Sequence, residues 1–184
     1  MTRFIFLGPP GAGKGTQAEI LADYSHIPHI STGDILRAAL QGQTPLGMKA
    51  QFYMDKGELV PDDLVQDMVR ERLSQDDTKY GWILDGFPRT VLQAAFLSLL
   101  LDELDQLQVK VINLDAPDNV VMSRLLERGR KDDAEDVIRR RLEIYRSDTA
   151  PLIDYYQQRK LLVVINGNQT PEEVTAELKS AVSS

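Results

Sequence analysis

Cysteine is absent from this chain of 184 residues. Disulfide bonds and thiolate zinc sites are therefore excluded, and the composition is compatible with a reducing compartment. Long hydrophobic runs are also missing. The apolar run near the start, residues 4–7, ends at Gly8 and is too short for a signal peptide or a membrane span. Because the net charge is −7, the chain lacks the basic excess of a general nucleic-acid binder. We expect a cytoplasmic protein that binds neither nucleic acid nor membranes.

Short apolar runs alternate along the chain with longer segments of helical spacing. The short runs suit strands that are buried on both faces. They lie at residues 4–7, 81–85, 109–114 and 161–165. Helical patterns lie at residues 16–24, 90–107, 118–129 and 171–182. The alternation predicts one α/β domain over residues 1–184, with a mainly parallel sheet of about five strands flanked by helices.

Two segments interrupt this alternation. Residues 31–60 are polar and helical, and we expect Gly42, Gly47 and Gly57 to break the helix there. This segment is interpreted as a small helical excursion from the sheet. Residues 130–136 form a short charged stretch that is expected to join two helices.

A glycine-rich segment, Gly-Pro-Pro-Gly-Ala-Gly-Lys-Gly-Thr at residues 8–16, follows the first predicted strand. Its spacing matches the phosphate-binding P-loop, and it opens a predicted helix, which disfavours a chance glycine-rich turn. Glycines let backbone N–H groups point at phosphate oxygens, and Lys14 supplies a mobile cation. Gly15 stands where many P-loops carry a magnesium-binding Ser or Thr, with Thr16 one residue later. Direct ligation of a metal by a hydroxyl is therefore left open.

A second polar group follows the strand at residues 81–85. Asp85 stands at the sheet edge where open α/β sheets bind ligands, so it can hold magnesium through water or simply cap a helix. Arg89 follows Pro88 in a fixed turn and can grip a phosphate with two hydrogen bonds. One helical turn further on, the amide of Gln93 offers a donor and an acceptor to a base. Alone, either residue would be interpreted as a solvated surface side chain.

Arginines are dense between residues 124 and 146. Arg124 and Arg128 share one face of a helix, and Arg130 and Arg141 flank a short acidic segment. Converging arginines suit phosphoryl transfer, which requires charge neutralisation and positioning more than a strong base. A charge-rich helix is more often simply solvated. That interpretation applies to Arg139, Arg140 and Arg146.

Four motifs, in this order and over essentially the whole chain, resemble the adenylate kinase family. They are the P-loop at residues 8–17, Ser-Thr-Gly-Asp-Ile-Leu-Arg at 31–37, Asp-Gly-Phe-Pro-Arg-Thr at 85–90 with Gln93, and Arg-Gly-Arg at 128–130 followed by Asp132, Asp133 and Arg141. The resemblance implies a P-loop kinase fold and reversible transfer of a phosphoryl group from ATP to AMP with Mg²⁺. It also implies a monomer, a monophosphate-binding subdomain at residues 31–60 and a short lid at residues 127–133. Long-lid relatives can carry a cysteine zinc site, and we expect no structural zinc here.

The same resemblance implies a role for each matching residue. Catalytic roles fall to Lys14, Arg89, Arg128, Arg130, Arg141 and Asp85, of which Asp85 would hold Mg²⁺ through water. Contacts to ATP fall to Gly11, Ala12, Gly13, Lys14, Gly15, Thr16, Arg124 and Arg128, with Arg124 stacked on the donor adenine. Contacts to AMP fall to Thr32, Arg37, Glu58, Leu59, Val60, Gly86, Phe87, Pro88, Arg89, Gln93, Arg130 and Arg141.

Two alternatives were weighed against this interpretation. UMP/CMP kinases resemble the family but tend to carry Ala in place of Thr32 and Asn in place of Gln93, so this chain has the adenine-type pair. A P-loop switch without turnover would need fewer converging cations.

Gln169 falls near a position where relatives often place a glycine that approaches the donor base, and the contacts to that base stay open.

Overall fold

The computed structural model describes residues 2–183, so Met1 and Ser184, the ends of the predicted domain, lie outside the described residues. Its strands form one parallel five-stranded sheet in the order β2-β3-β1-β4-β5. This confirms the predicted α/β fold. The strands are β1 (Thr2–Leu7), β2 (His29–Ser31), β3 (Gly81–Asp85), β4 (Lys110–Asp115) and β5 (Leu162–Asn166).

Helices connect the strands and cover both faces of the sheet. A π-helical turn lies at Tyr145–Thr149, and a 3₁₀ turn, Asp76–Thr78, precedes β3. Within residues 2–183 no helix has the length and apolar character needed to cross a membrane. The helices are α1 (Lys14–Ser25), α2 (Thr32–Gln41), α3 (Pro45–Asp55), α4 (Asp62–Leu73), α5 (Val91–Glu103), α6 (Asp118–Arg128), α7 (Glu135–Ile144), α8 (Pro151–Gln158) and α9 (Pro171–Ser183).

Alternation along the strands divides the core into two layers. Ile5 and Leu7 of β1 pack in one cluster with residues of α2–α5 and α8, whereas Phe4 and Phe6 pack in the other with α1, α6, α7 and α9. Successive side chains of a strand point to opposite faces, so both faces must be apolar when helices cover both. The carboxyl ends of β1 and β3 are left as the place where loops can build a site.

The excursion at residues 31–60 contains two helices, α2 and α3, and differs from the prediction at Gly47. Gly42 and Gly57 lie outside the helices, as predicted, but Gly47 lies inside α3. A Cβ atom at Gly47 would come within 2.2 Å of the carbonyl oxygen of Ala39. Gly47 is therefore needed for the close approach of α3 to α2, and the prediction that it breaks a helix is wrong.

Element ends lie close to those predicted, with one larger difference. Helix α5 ends at Glu103, whereas the pattern predicted helix to Leu107. Asp105 adopts a left-handed conformation with φ 55°, and the N–H of Gln106 bonds to the carbonyl of Leu101 at 2.7 Å. This arrangement satisfies carbonyl groups at the helix end and turns the chain towards β4. At the starts of α2 and α9, Ser31 and Thr170 accept hydrogen bonds from N–H groups three residues later.

Trp82, the only tryptophan, is completely buried in β3. Its indole Nε1 donates to Oε1 of Gln106 at 2.6 Å, and Gln106 is itself buried. Replacing Gln106 by Leu would leave the indole N–H without an acceptor. We predict that Gln106→Leu lowers the free energy of unfolding by about 1–3 kcal/mol.

Urea unfolding followed by the fluorescence of Trp82 measures this loss. The matched control is Gln108→Leu, because Gln108 is exposed two residues away. The control should change stability by less than about 0.5 kcal/mol. Equal stabilities of the two variants would contradict the importance of the buried hydrogen bond.

Candidate active site

The P-loop spans the end of β1 and the first turn of α1. Gly11 and Gly13 adopt φ values of 84° and 98°, which side chains other than glycine rarely reach. The Nζ of Lys14 reaches back over the loop and donates to the carbonyl oxygens of Gly8 and Pro9 at 2.8 and 2.9 Å. The start of α1 therefore places an ammonium group next to the N-terminal end of a helix, an arrangement suited to an anion.

Lys14 has an unusual environment for an ammonium group. Burial lowers the pKa of Lys14 to about 8, Asp85 opposes the shift, and Arg89, Arg141 and Arg128 add to it. A phosphate beside Lys14 would offset both the burial and the repulsion by the arginines. A bound polyanion would thus stabilise the protonated form of Lys14 more than the protein groups around it do.

Arg89 is held by three hydrogen bonds from different parts of the chain. Its Nε donates to the carbonyl of Gly86 at 2.8 Å, and its backbone N–H donates to Oε1 of Gln93 at 2.7 Å. Its carbonyl accepts from the hydroxyl of Thr149 at 2.7 Å. Burial, followed by repulsion from Arg141, lowers the pKa of Arg89 to about 10. The guanidinium is therefore both positioned and short of counter-charge.

Asp133 binds Arg128, the last residue of α6, and Arg141 of α7. Its side chain is fully buried and accepts from Nε and Nη2 of Arg128 at 2.8 and 2.7 Å, and from Nη1 of Arg141 at 3.2 Å. The backbone N–H of Arg130 bonds to the same carboxylate at 3.0 Å. Burial alone would raise the pKa of Asp133, but the hydrogen bonds from Arg128 and Arg130 bring it below its usual value. Asp132 adds a second carboxylate 3.3 Å from Arg141.

The side chain of Arg130 is exposed, in contrast to the buried carboxylate of Asp133. Partial burial, followed by repulsion from Arg128 and Arg37, lowers the pKa of Arg130. Arg37 itself pairs with Asp34 at 2.5 Å in the first turns of α2. The positive charges of Arg130 and Arg37 are therefore close enough to repel each other.

Two cavities meet among these residues and form one cleft. Both are lined by Arg37, Arg89 and Arg141, which stand where the cavities join. The larger one is also lined by Gly11, Gly13, Lys14, Gly15, Thr16, Asp85, Pro88, Arg124, Arg128 and Arg130. The other is lined further by Thr32, Glu58, Leu59, Val60, Gly86 and Gln93. Of the residues predicted from sequence, Ala12 and Phe87 do not line the cleft.

Ala12 and Phe87 instead bury their side chains in the two core clusters. Their neighbours Gly11, Gly13, Gly86 and Pro88 all line the cleft. Any contact of Ala12 or Phe87 with a ligand is thus left to the main chain. The sequence motif identifies the turn correctly but does not tell which of its side chains point inward.

The smaller cavity has apolar walls and one amide. Leu36, Met54, Val60 and Val65 contribute the walls, and the buried Gln93 contributes the amide. Oε1 of Gln93 accepts from Arg89, and Nε2 donates to Oδ1 of Asp62 at 2.7 Å. A slot with flat apolar sides and a donor–acceptor pair is suited to an aromatic base.

Asp85 ends β3 beside the P-loop, with 8% of its surface exposed. Nε2 of His29 lies 3.7 Å from its Oδ2. Among residues 2–183, no three or more His, Cys, Asp or Glu side chains cluster as a metal site. A single carboxylate beside the P-loop fits Mg²⁺, which commonly binds through waters and ligand phosphates with only one or two protein carboxylates.

Arg124 is tied to the loop that follows β5. Its Nη1 donates to the carbonyl of Gly167 at 2.9 Å, and its Nη2 lies 3.5 Å from the carbonyl of Gln169. Arg124 also lines the larger cavity of the cleft. The main chain around Gln169 is thereby placed next to the P-loop end of the cleft.

Several lining residues were not identified from sequence. Thr149, Leu36, Met54 and Val65 fall in ordinary helical patterns and carry no spacing that separates them from core or surface. Thr149 reaches Arg89 across 60 residues of sequence from a π-helical turn, a rare element that often marks functional sites. No local signal in the sequence predicts that turn.

Comparison with known proteins agrees with this geometry. The family model for adenylate kinase matches residues 6–161. A Nostoc sp. protein named adenylate kinase 1 is 71% identical over 184 residues, covering 100% of both chains. The adenylate kinase of Trichodesmium erythraeum is 52% identical over 99% of this chain and 98% of its own. That of Corynebacterium urealyticum is 53% identical over 90% of this chain and 92% of its own.

These matches extend over nearly all of the chain, and they include every motif on which the resemblance depended. The P-loop kinase fold expected from those motifs is likewise the fold observed. The chain belongs to the adenylate kinase family.

Proposed function

We propose that this protein catalyses the reversible, Mg²⁺-dependent reaction ATP + AMP ⇌ 2 ADP. The observation that carries the proposal is the convergence of Lys14, Arg89, Arg128 and Arg141 on one cleft. A cleft this rich in cations suits two nucleotides whose phosphates meet in its middle. The names of the similar proteins from Nostoc sp. and Trichodesmium erythraeum are consistent with this activity.

The two cavities have different partners in the proposal. The P-loop end takes ATP, with Lys14 and Arg128 on its phosphates and Arg124 against its base. The apolar end takes AMP, with Gln93 on the base and Arg37 and Arg89 on the phosphate. Arg89 and Arg141 line both cavities, so they can stabilise charge on the phosphoryl group as it passes between them.

The chemistry needs little beyond positioning and charge neutralisation. The attacking oxygen of AMP is already ionised near neutral pH, so no general base is required. Mg²⁺, held by Asp85 through water together with the nucleotide phosphates, would supply further positive charge when bound. Gly8, Gly86 and Asp133 hold Lys14, Arg89 and Arg128 by hydrogen bonds, which keep these cations in place without a nucleotide.

Residues 31–60 are proposed as the AMP-binding subdomain and residues 127–133 as a short lid. The subdomain rests on α7, where Glu58 pairs with Arg140 at 2.8 Å. A Cβ at Gly57 would come within 2.9 Å of the carbonyl of Val137, so the two parts approach closely. Closure of both over the cleft would exclude water, which otherwise hydrolyses ATP.

The remaining parts of the proposal follow the family resemblance. The protein is a monomer that binds adenine nucleotides in the cytoplasm and does not bind nucleic acid. Sedimentation at micromolar concentration tests the monomer. A P-loop switch without turnover is the alternative from another class, and a coupled assay for ADP separates the two.

The first prediction concerns Lys14. We expect Lys14→Met to lower kcat at least about 100-fold, because one cation that stabilises the transition state is removed. A coupled assay of ADP formation measures kcat, and circular dichroism checks the fold. Lys49→Met, which changes an exposed lysine of α3, is the matched control and should retain normal turnover. Near-normal turnover of a folded Lys14→Met protein would remove Lys14 from the mechanism.

The second prediction concerns the acceptor. AMP should have a far higher kcat/KM than UMP or CMP when each is tested with ATP, because the slot around Gln93 and Thr32 fits adenine. Gln93→Ala should raise the KM for AMP more than it lowers kcat, since it removes a contact to the base and not to the reacting phosphate. A pyrimidine monophosphate with an equal or higher kcat/KM would overturn the assignment of AMP.

The third prediction concerns the lid. Asp133 anchors residues 127–133 at one point, whereas Glu127, Arg130 and Lys131 are exposed. We expect hydrogen exchange in this loop to slow when a molecule that joins two adenosines through five phosphates occupies both halves of the cleft. Gly129, with φ 63° and free space around its Cα, can take up the change in the backbone.

The exchange of α9, which lies away from the cleft, serves as the internal control. The same linked molecule should compete with both ATP and AMP. Equal protection of residues 127–133 with and without it would show a rigid connection between two helices. Competition with only one substrate would contradict the single continuous cleft.

A further inference from the structure

The amide of Gln93 is only partly used by the protein. A glutamine side chain has two N–H hydrogens and two acceptor lone pairs on its oxygen. The backbone N–H of Arg89 occupies one lone pair at 2.7 Å, and the carboxylate of Asp62 accepts one hydrogen at 2.7 Å. One hydrogen and one lone pair therefore remain for a ligand in the apolar slot that Gln93 lines.

These two partners allow only one orientation of the amide. A backbone N–H can only donate, and a carboxylate can only accept. If the amide rotated by half a turn, its NH₂ group would face the N–H of Arg89 and its oxygen would face the carboxylate of Asp62. Both contacts would then be repulsive in a buried place, because Gln93 is only 2% exposed. The order of donor and acceptor shown to the ligand is consequently set by the protein.

The order matters for the choice among purines. Adenine carries a 6-amino donor next to the N1 acceptor, so it pairs with an amide that accepts at the first position and donates at the second. Hypoxanthine and guanine carry a 6-oxo acceptor next to an N1–H donor and need the reversed amide. An amide free to rotate could serve either kind of base. A site with fixed polar groups rejects the analogue that leaves them unpaired.

Building on the proposed function, we propose that Asp62 is a specificity-determining residue that makes the acceptor site reject 6-oxopurine monophosphates. Asp62 does not line the cleft and acts through Gln93, so it is a positioning residue. It is the first residue of α4, where the helix dipole favours a negative charge and Pro61 precedes it. The carboxylate is thus held by a rigid element 31 residues before its partner.

The test compares Asp62→Asn with wild type, using AMP and IMP as acceptors and ATP as donor. An asparagine at this position can either donate or accept, so it removes one of the two constraints on the amide while keeping the shape of the side chain. We expect the ratio of kcat/KM for AMP to that for IMP to fall about 10-fold, the size expected for one hydrogen bond to a charged group. Most of the change should be a gain for IMP.

Asp63→Asn is the matched control. Asp63 is the next residue of the same helical turn and is exposed, so its replacement removes the same charge from the same helix end. The control should leave the AMP-to-IMP ratio unchanged. Calorimetric binding of AMP and IMP without donor gives a second measure of the ratio that does not depend on turnover.

A purely structural role predicts a different result. If Asp62 only stabilises the start of α4, Asp62→Asn will lower the values for AMP and IMP by the same factor, and the unchanged ratio overturns the inference. If that variant does not fold, Asp62→Ser, whose hydroxyl also donates or accepts, takes its place. A wild-type protein that fails to phosphorylate AMP would instead refute the proposed function.

Discussion

The structure depends on holding several cations close together around one cleft, through hydrogen bonds to neutral carbonyl groups and to one buried carboxylate. Burial removes Lys14 and Arg89 from water. This loss of hydration disfavours the charged form and lowers the pKa of each. Neutral carbonyl groups hold Lys14 and part of Arg89, whereas the buried carboxylate of Asp133 holds Arg128 and Arg141. Carbonyls position a cation without removing its charge. More cationic than anionic side chains line the cleft, and a bound polyanion would stabilise the charged forms of Lys14 and Arg89.

Much of this arrangement could be predicted because it is encoded locally. The P-loop follows β1, and Asp85 ends β3 with Arg89 four residues later. Both strands are apolar enough to recognise, and parallel strands bring their carboxyl ends to one edge. Four strands were identified from such runs. The fifth, His29–Ser31, has only three residues and no pattern of its own, so its place at the sheet edge comes from pairing with β3.

What could not be predicted depends on contacts between distant segments. Glycine is a poor helix former, which is why a break was predicted at Gly47. The close approach of α3 to α2 instead requires glycine at this position inside α3. Thr149 bonds to Arg89 and Asp62 to Gln93 over long stretches of sequence, so no spacing rule indicates either pair. The inward or outward direction of side chains in a tight turn, as at Phe87, is likewise decided by packing against the core.

The same electrostatics explain how the proposed short lid, residues 127–133, would close. A large inserted domain can cover a cleft by packing, but residues 127–133 are mostly charged and contribute little apolar area. Asp133 gives the loop a rigid base by binding Arg128 and the N–H of Arg130, while the side chain of Arg130 stays exposed near Arg37. In the proposed closure, repulsion between Arg130 and Arg37 would oppose the movement when no ligand is bound. A bound phosphate would attract both guanidinium groups and outweigh their repulsion, so the ligand itself would supply the attraction that a larger lid would obtain from packing.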